Sequence, residues 1–263
     1  MDYKKDLERA LRLADTADEI GLKYYRAKEL KITIKSDSTP VTQADLEIEK
    51  ALSTIVTEEF REAYEGEEGT KNAQSHRRWL VDPIDGTKNF TRHMPVWGPL
   101  ISLSDNGIVV AAVVSAPALG LRWWASKGSG SFKKNMDGSV NKIHVSKINN
   151  LKEAFVSGTN LIYWEKSPIG LEPIISLLRK TYRHRLIGDF WSYMLVAEGA
   201  ADVHFETATK GWDVEAPAFI VNEAGGKVWT DATSSSQESD NRMAIATNGL
   251  LEKQVLDILG LKP

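Results

Sequence analysis

The chain has 263 residues, 42% of them hydrophobic and 26% charged, with 33 basic against 36 acidic side chains and no cysteine. That length suits one large domain or two intimate lobes, and a chain of this size can bury roughly three quarters of its unfolded surface. Without cysteine there is no disulfide framework, thiolate nucleophile, Cys-ligated zinc or iron–sulfur cluster, and a net charge of −3 argues against nucleic-acid binding through bulk positive charge.

The first residues, Met1-Asp2-Tyr3-Lys4-Lys5-Asp6, are charged and lack the apolar centre of a signal peptide. From Tyr3 to Ala27 the residues Leu7, Ala10, Leu11, Ala14, Ala17, Ile20 and Tyr24 recur at three-and-four spacing, which predicts an amphipathic helix. The polar run Lys35-Ser36-Asp37-Ser38-Thr39-Pro40 connects it to a second helix. That helix has Thr42 as N-cap, Asp45 at N3, and Val41 and Leu46 spaced as a hydrophobic staple; its apolar positions reach about Phe60.

Trp79-Leu80-Val81 reads as a buried strand ending in a Pro/Gly turn. Pro99 to Leu103 and Ile108 to Ser115 read as strands around Asp105-Asn106-Gly107, and Arg122 to Ser126 with Gly130 to Lys133 as another hairpin. Gly107 to Leu121, the most apolar stretch, is broken by Ser115 and Pro117 and is too short to span a bilayer. A cytoplasmic location with no membrane partner is expected.

Beyond Asn149 strands and helices alternate: strand Ala154 to Ser157, helix Gly170 to Tyr182, strand Arg185 to Gly188, helix Phe190 to Glu198, strand Ala201 to Phe205. A helix from Val214 to Glu223, a strand from Lys227 to Thr230 and a helix from Leu250 to Leu259 close the chain, with Thr230 to Asn241 expected as a mobile surface loop. The pattern is α/β, helices layered on mixed sheets, in one domain over 1–263 with lobes of about 1–149 and 150–263.

The most informative segment is Asp82-Pro83-Ile84-Asp85-Gly86-Thr87. Two carboxylates sit three residues apart at a strand's end, where α/β proteins place ligands. Thr87 can cap a following helix whose first N–H groups would point at an anion. Acidic ligands beside an anion site require a cation between them. Gly66-Glu67-Glu68-Gly69 and Trp212-Asp213 add further carboxylates, and an all-oxygen donor set selects Mg²⁺ or Mn²⁺.

Each signal has a plainer reading. Asp82 and Asp85 could only shape a turn, Glu67 and Glu68 could be a solvated turn, Asp45 an N3 cap, and Asp213 an N-cap beside a core Trp212. Gly128-Ser129-Gly130 is better read as a hairpin turn than as a phosphate loop, and Lys35 as a surface lysine rather than a phosphate contact. His76, His93, His144, His184 and His204 fall outside every motif.

Asp45, Gly66-Glu67-Glu68, Asp82-Pro83-Ile84-Asp85-Gly86-Thr87, Trp212-Asp213 and the late Glu223-Ala224-Gly225-Gly226 together resemble the inositol monophosphatase family, over essentially the whole chain. The resemblance implies a layered αβαβα sandwich of the fructose-1,6-bisphosphatase type, commonly a homodimer, that hydrolyses phosphomonoesters with two or three Mg²⁺ ions, Mn²⁺ being a possible substitute. It implies that Glu67, Asp82 and the Ile84 carbonyl hold one ion and Asp82, Asp85 and Asp213 a second. Asp45 and Glu67 would place a third ion or the attacking water. Gly86 and Thr87 would bind phosphate through backbone N–H groups, with the Thr87 hydroxyl orienting the water.

Gly188-Asp189-Phe190-Trp191-Ser192-Tyr193 departs from the inositol type, which carries a small residue where Asp189 stands, and is similar to the family's histidinol-phosphate phosphatase branch. A neutral polyol has no charge for Asp189 to meet. Histidinol phosphate carries an ammonium and an imidazole that Asp189 and Glu206 could pair with. Glu206 stands seven residues before Asp213, the family's spacing for a substrate contact; the plainer readings are an N-cap for Asp189 and a solvent-facing strand residue for Glu206. The resemblance thus implies hydrolysis of L-histidinol phosphate, with an inositol or sugar phosphate as the alternative substrate. A regulatory binding protein that keeps the fold is the alternative of another class.

Overall fold

In a computed structural model of the protein, residues 3–35, 39–72, 75–231 and 242–262 are described. Helix α1 (Lys4–Tyr24) and helix α2 (Gln43–Thr54) lie on one face of a mixed sheet. Its strands are β3 (Ala63–Gly66), β4 (Lys71–Asn72), β5 (Arg77–Asp85), β6 (Gly98–Asp105), β7 (Ile108–Ala116), β8 (Leu121–Ser126), β9 (Gly130–Lys134) and β10 (Val140–Ile143). They are ordered β10-β9-β8-β7-β6-β5-β3-β4, with β3 parallel to β5. A small hairpin, β1 (Ile32–Ile34) and β2 (Pro40–Thr42), precedes α2.

A second sheet is built from β11 (Phe155–Gly158), β12 (Arg183–Arg185), β13 (Val203–Thr209), β14 (Lys227–Thr230) and β15 (Arg242–Thr247), in the order β12-β11-β13-β15-β14. Helices α6 (Asp189–Ala197) and α7 (Gly211–Glu223) fill the space between the sheets. The outer face of the second sheet is covered by α4 (Leu161–Glu165), α5 (Glu172–Arg179) and α8 (Glu252–Leu259). The result is the expected αβαβα layering.

Strand alternation sorts side chains between the layers. On β7, Ala111 and Val113 pack against α1 and α2, whereas Ala112 and Val114 face α6 and α7. On β15, Met243 and Ile245 face the outer helices and Ala244 and Ala246 the inner ones. Although α7 belongs to the second half of the chain, it packs against β5, β6 and β7 of the first sheet.

Several elements differ from the sequence expectation. The second helix widens after Thr54 into a π-helical turn, Ile55–Phe60, and Leu46 is 53% exposed, so no staple forms with Val41. The strand expected at Arg185 to Gly188 is shorter and earlier, at Arg183–Arg185, sharing only Arg185 with the expectation. Helix α6 starts at Asp189 with Gly188 as N-cap, so Asp189 is no N-cap. Of the expected loop from Thr230 to Asn241, residues 232–241 lie outside the described residues, as do 36–38 of the earlier polar connection. Among the described residues no helix is long and apolar enough to cross a membrane.

Candidate active site

Strand β5 ends in an irregularity of register between Asp82 and Asp85. Strict alternation would put Asp82 and Ile84 on one face and Asp85 on the other; the irregularity breaks it. Ile84 turns into the core with Trp79 and Val81, while Asp82 and Asp85 both reach one cavity. Asp82 Oδ1 accepts the Ile84 N–H at 2.9 Å. Gly86 then turns the chain at φ +79° and caps a short helix, α3 (Thr87–Thr91), where a Cβ would stand 3.0 Å from the Val96 carbonyl oxygen. The Thr87 hydroxyl donates to the Ile84 carbonyl at 2.9 Å.

Beside β5 the parallel strand β3 ends at Gly66 and delivers Glu67 to the same cavity, at the carboxyl ends of both strands. Glu49 of α2, buried, fixes that turn: its carboxylate accepts the N–H groups of Glu68 and Thr70, each at 2.8 Å. Asp213, at N3 of α7, accepts the Lys210 N–H at 2.7 Å. From the second half of the chain come Glu206, in the middle of β13 where its register begins to shift, and Asp189, the first residue of α6, held at φ +51°. Asn89 Nδ2 donates to Asp189 at 3.1 Å and to the Val96 carbonyl at 2.9 Å.

The structure therefore brings Glu67, Asp82, Ile84, Asp85, Gly86, Thr87, Asp189, Glu206 and Asp213 to one cavity of about 450 Å³. Asp45 stands off its wall. It is buried in the capping box expected at Thr42, with one oxygen on the Thr42 N–H (2.8 Å) and the other without a hydrogen-bond partner among the described residues. Lys35 is not a surface lysine: its ammonium lies 2.9 Å from Glu67 Oε1 and 2.7 Å from Glu68 Oε1. The Gly128–Gly130 turn uses its N–H groups on the Glu223 carboxylate. Asn89, Glu49 and Thr159, whose buried hydroxyl lines the cavity unpartnered, had no signal beyond their residue type.

Carboxylate oxygens of Asp82, Asp85 and Asp213 lie within 4.8 Å of one another. Burial pushes the pKa of all three well above the usual carboxylate range, and their mutual repulsion and that of Glu67, Asp189 and Glu206 push further. Burial likewise raises Asp45 to about 6, with Glu67 adding to it, and Asp189 to about 6, with Glu206 adding to it. Two like charges ~4 Å apart repel by about 4 kcal/mol at an effective dielectric of ~20. Three such pairs rival the stability of a whole domain, about 5–15 kcal/mol, so the cluster takes up protons or is neutralised by cations. Hard oxygen donors, with an orphaned Asp45 oxygen behind them, fit a divalent cation of the Mg²⁺ class. The first residues of α3, α6 and α7 also line the cavity, and helix N-termini favour an anion.

A model of the inositol monophosphatase family matches residues 2–259. The chain is 39% identical to the histidinol-phosphatase of Streptomyces coelicolor over 98% of both chains. It is 41% identical to that of Mycobacterium tuberculosis over 95% of this chain and 96% of the other. Among solved structures, the inositol monophosphatase from Zymomonas mobilis superposes with a TM-score of 0.83 at 29% identity, covering 99% of this chain and 100% of that one.

Proposed function

The chain belongs to the inositol monophosphatase family, and on that premise we propose that it hydrolyses L-histidinol phosphate to L-histidinol and phosphate, a step of histidine biosynthesis. It is a phosphoric monoester hydrolase. The observation that carries the substrate is a pair of acidic side chains, Asp189 and Glu206, in the same cavity as the Asp82, Asp85 and Asp213 cluster but outside it. A cationic substrate end gives them a partner. A polyol does not.

Glu67, Asp82, the Ile84 carbonyl, Asp85 and Asp213 would hold divalent cations, Mg²⁺ fitting the donor set best and Mn²⁺ being a substitute. Bound there, the ions supply neutralisation of the phosphate dianion and a more acidic water. The backbone N–H groups of Gly86 and Thr87 donate to phosphate oxygens at the start of α3. With its own proton committed to the Ile84 carbonyl, the Thr87 hydroxyl presents lone pairs, so it accepts from the attacking water and turns that water's free pair towards phosphorus. Glu67, with Asp45 close by, receives the water's proton. The new P–O bond forms in line as the ester P–O bond breaks and the alkoxide leaves protonated by solvent. Asp189 and Glu206 pair with the ammonium and imidazole ends and hold the ester in register. The working form is a cytoplasmic homodimer, a reading that rests on the family resemblance.

Two charge-assisted contacts at about 1.5 kcal/mol each correspond to roughly a hundredfold in specificity. Steady-state assays with Mg²⁺ should therefore give histidinol phosphate a kcat/KM about a hundredfold above inositol 1-phosphate, and a chelator should abolish both activities. A higher kcat/KM for inositol 1-phosphate would overturn the substrate assignment.

A further inference from the structure

His204 is fully buried on β13, two residues before Glu206, so strand alternation sends both side chains to the same side of the sheet. Val203 and Phe205 turn the other way, into the core beneath α4, α5 and α8. Across the sheet His204 is paired with Ser157 and Ala246, and Glu206 with Ala244, small neighbours that leave room for an imidazole. His204 Nε2 lies 3.4 Å from Glu206 Oε2. Tyr193 of α6 meets the imidazole edge-on, with ring centroids 4.4 Å apart. The Tyr193 hydroxyl, which faces the Glu206 carboxylate, and His204 Nδ1 are both buried without a geometric hydrogen-bond partner among the described residues.

Such a pair is an expensive way to fill an interior layer, since each buried polar atom left unpaired costs about 1–3 kcal/mol. Aliphatic packing would be cheaper, so the imidazole must contribute something that packing alone does not. Among the described residues its only hydrogen-bond contact is with Glu206. Donation from Nε2–H leaves Nδ1 as a bare lone pair, the cheaper atom to bury, and the edge-on Tyr193 ring prevents the imidazole from turning away.

We propose that His204, braced by Tyr193, is a positioning residue that aims the Glu206 carboxylate at the cationic end of the substrate, so that selection of an ammonium-bearing phosphomonoester depends on a side chain that touches no substrate. The proposal rests on the reading of Glu206 given above. His204 acts on affinity for the charged end and leaves the chemistry at phosphorus alone.

The test compares L-histidinol phosphate with glycerol 2-phosphate, a neutral-ended ester, in the Mg²⁺-loaded full-length enzyme. His204→Leu should raise KM for histidinol phosphate about tenfold, the equivalent of one hydrogen bond to a charged group. Its kcat should stay within about twofold, and neither constant for glycerol 2-phosphate should move. His204→Gln, whose amide nitrogen can stand where Nε2 does, should restore most of the affinity. In a Glu206→Gln background, His204→Leu should add nothing further. Should His204→Leu fail to fold, His204→Asn removes the reach while keeping polarity and is expected to give the same KM effect. Equal losses for both substrates, or additive effects in the double variant, would overturn the positioning role while leaving the substrate assignment intact. A wild-type enzyme with no preference for histidinol phosphate over glycerol 2-phosphate would overturn both.

Discussion

The backbone N–H of Phe190 donates to a carboxylate oxygen of Asp85 across 2.7 Å. This bond joins the first turn of α6 to the end of β5, two elements more than a hundred residues apart in sequence. It sets Asp189, which we propose offers charge to the substrate, directly beside Asp85 of the acidic cluster. The left-handed backbone of Asp189 and the Asn89 amide fix that carboxylate from both sides. On that proposal, recognition of the substrate's far end and of its phosphate rests on one shared corner.

Asp189→Asn tests the charge without disturbing that corner. Asparagine tolerates the left-handed region and can still accept from Asn89. The variant should fold normally, raise KM for histidinol phosphate at least about tenfold, and reduce its kcat/KM relative to inositol 1-phosphate by roughly 10- to 100-fold. An unchanged ratio between the two substrates would remove Asp189 from recognition.

Asp213→Asn should separate stability from activity. The amide oxygen can still accept the Lys210 N–H that anchors the start of α7, while one member of a buried like-charge cluster becomes neutral. In the presence of a chelator its melting temperature should exceed that of the wild type by several degrees, about 2–4 °C for each kcal/mol of repulsion relieved. Its turnover should fall by about 10³-fold or more, and Mg²⁺ should raise its melting point less than it raises that of the wild type, because only the ion held by Glu67, Asp82 and the Ile84 carbonyl would remain. Scanning fluorimetry with Mg²⁺ and with EDTA checks both. A destabilised metal-free variant would contradict the repulsion described for this cluster.

The pH dependence of the metal-free protein follows from the same carboxylates. Burial holds Asp45 and Asp189 at about 6 and Glu68 at about 7, all above their unfolded values near 4. An acid raised on folding binds its proton more tightly in the native state. Stability is therefore full below the unfolded value and falls as pH rises through the folded one. The metal-free melting temperature should accordingly drop between about pH 4 and 7, and saturating Mg²⁺, by binding the deprotonated cluster, should flatten or reverse that slope. A metal-free protein that gains stability across this window would refute the assignment.

How much of this was legible in the sequence depended on whether local chemistry or distant contact set each feature. Thr42 and Asp45 carry their capping box within four residues, and the box forms. The staple failed because Leu46 points to solvent: the buried face of α2 runs through Ala44, Asp45, Ile48, Glu49 and Leu52, placing two acids, one turn apart, towards the site. Strand β3 and the strand from Arg242 went unread because Ala63–Gly66 is short and Arg242–Thr247 follows a polar run; both owe their conformation to sheet partners. The motif residues at the cavity could be named because they cluster in a few contiguous segments. Glu49, Asn89 and His204 could not, since each matters only through a partner that folding brings to it.

Gly66→Ala is the sharpest check on the Glu67 turn. Gly66 has an ordinary backbone, so strain is not the issue; a Cβ there would stand 2.3 Å from Oε2 of Glu49. The carboxylate would have to retreat, and it is what holds the N–H groups of Glu68 and Thr70. Overpacking of this kind costs about 1–3 kcal/mol, so the melting temperature should fall by roughly 2–12 °C. Displacing Glu67 by as little as ~1 Å should cost kcat up to about a hundredfold even with saturating Mg²⁺. The double variant Gly66→Ala with Glu49→Ala removes the collision but also the anchor. If Glu49 orders the turn, the double variant relieves the steric clash yet leaves kcat low. Full recovery of kcat in the double variant would show that the turn orders itself without Glu49.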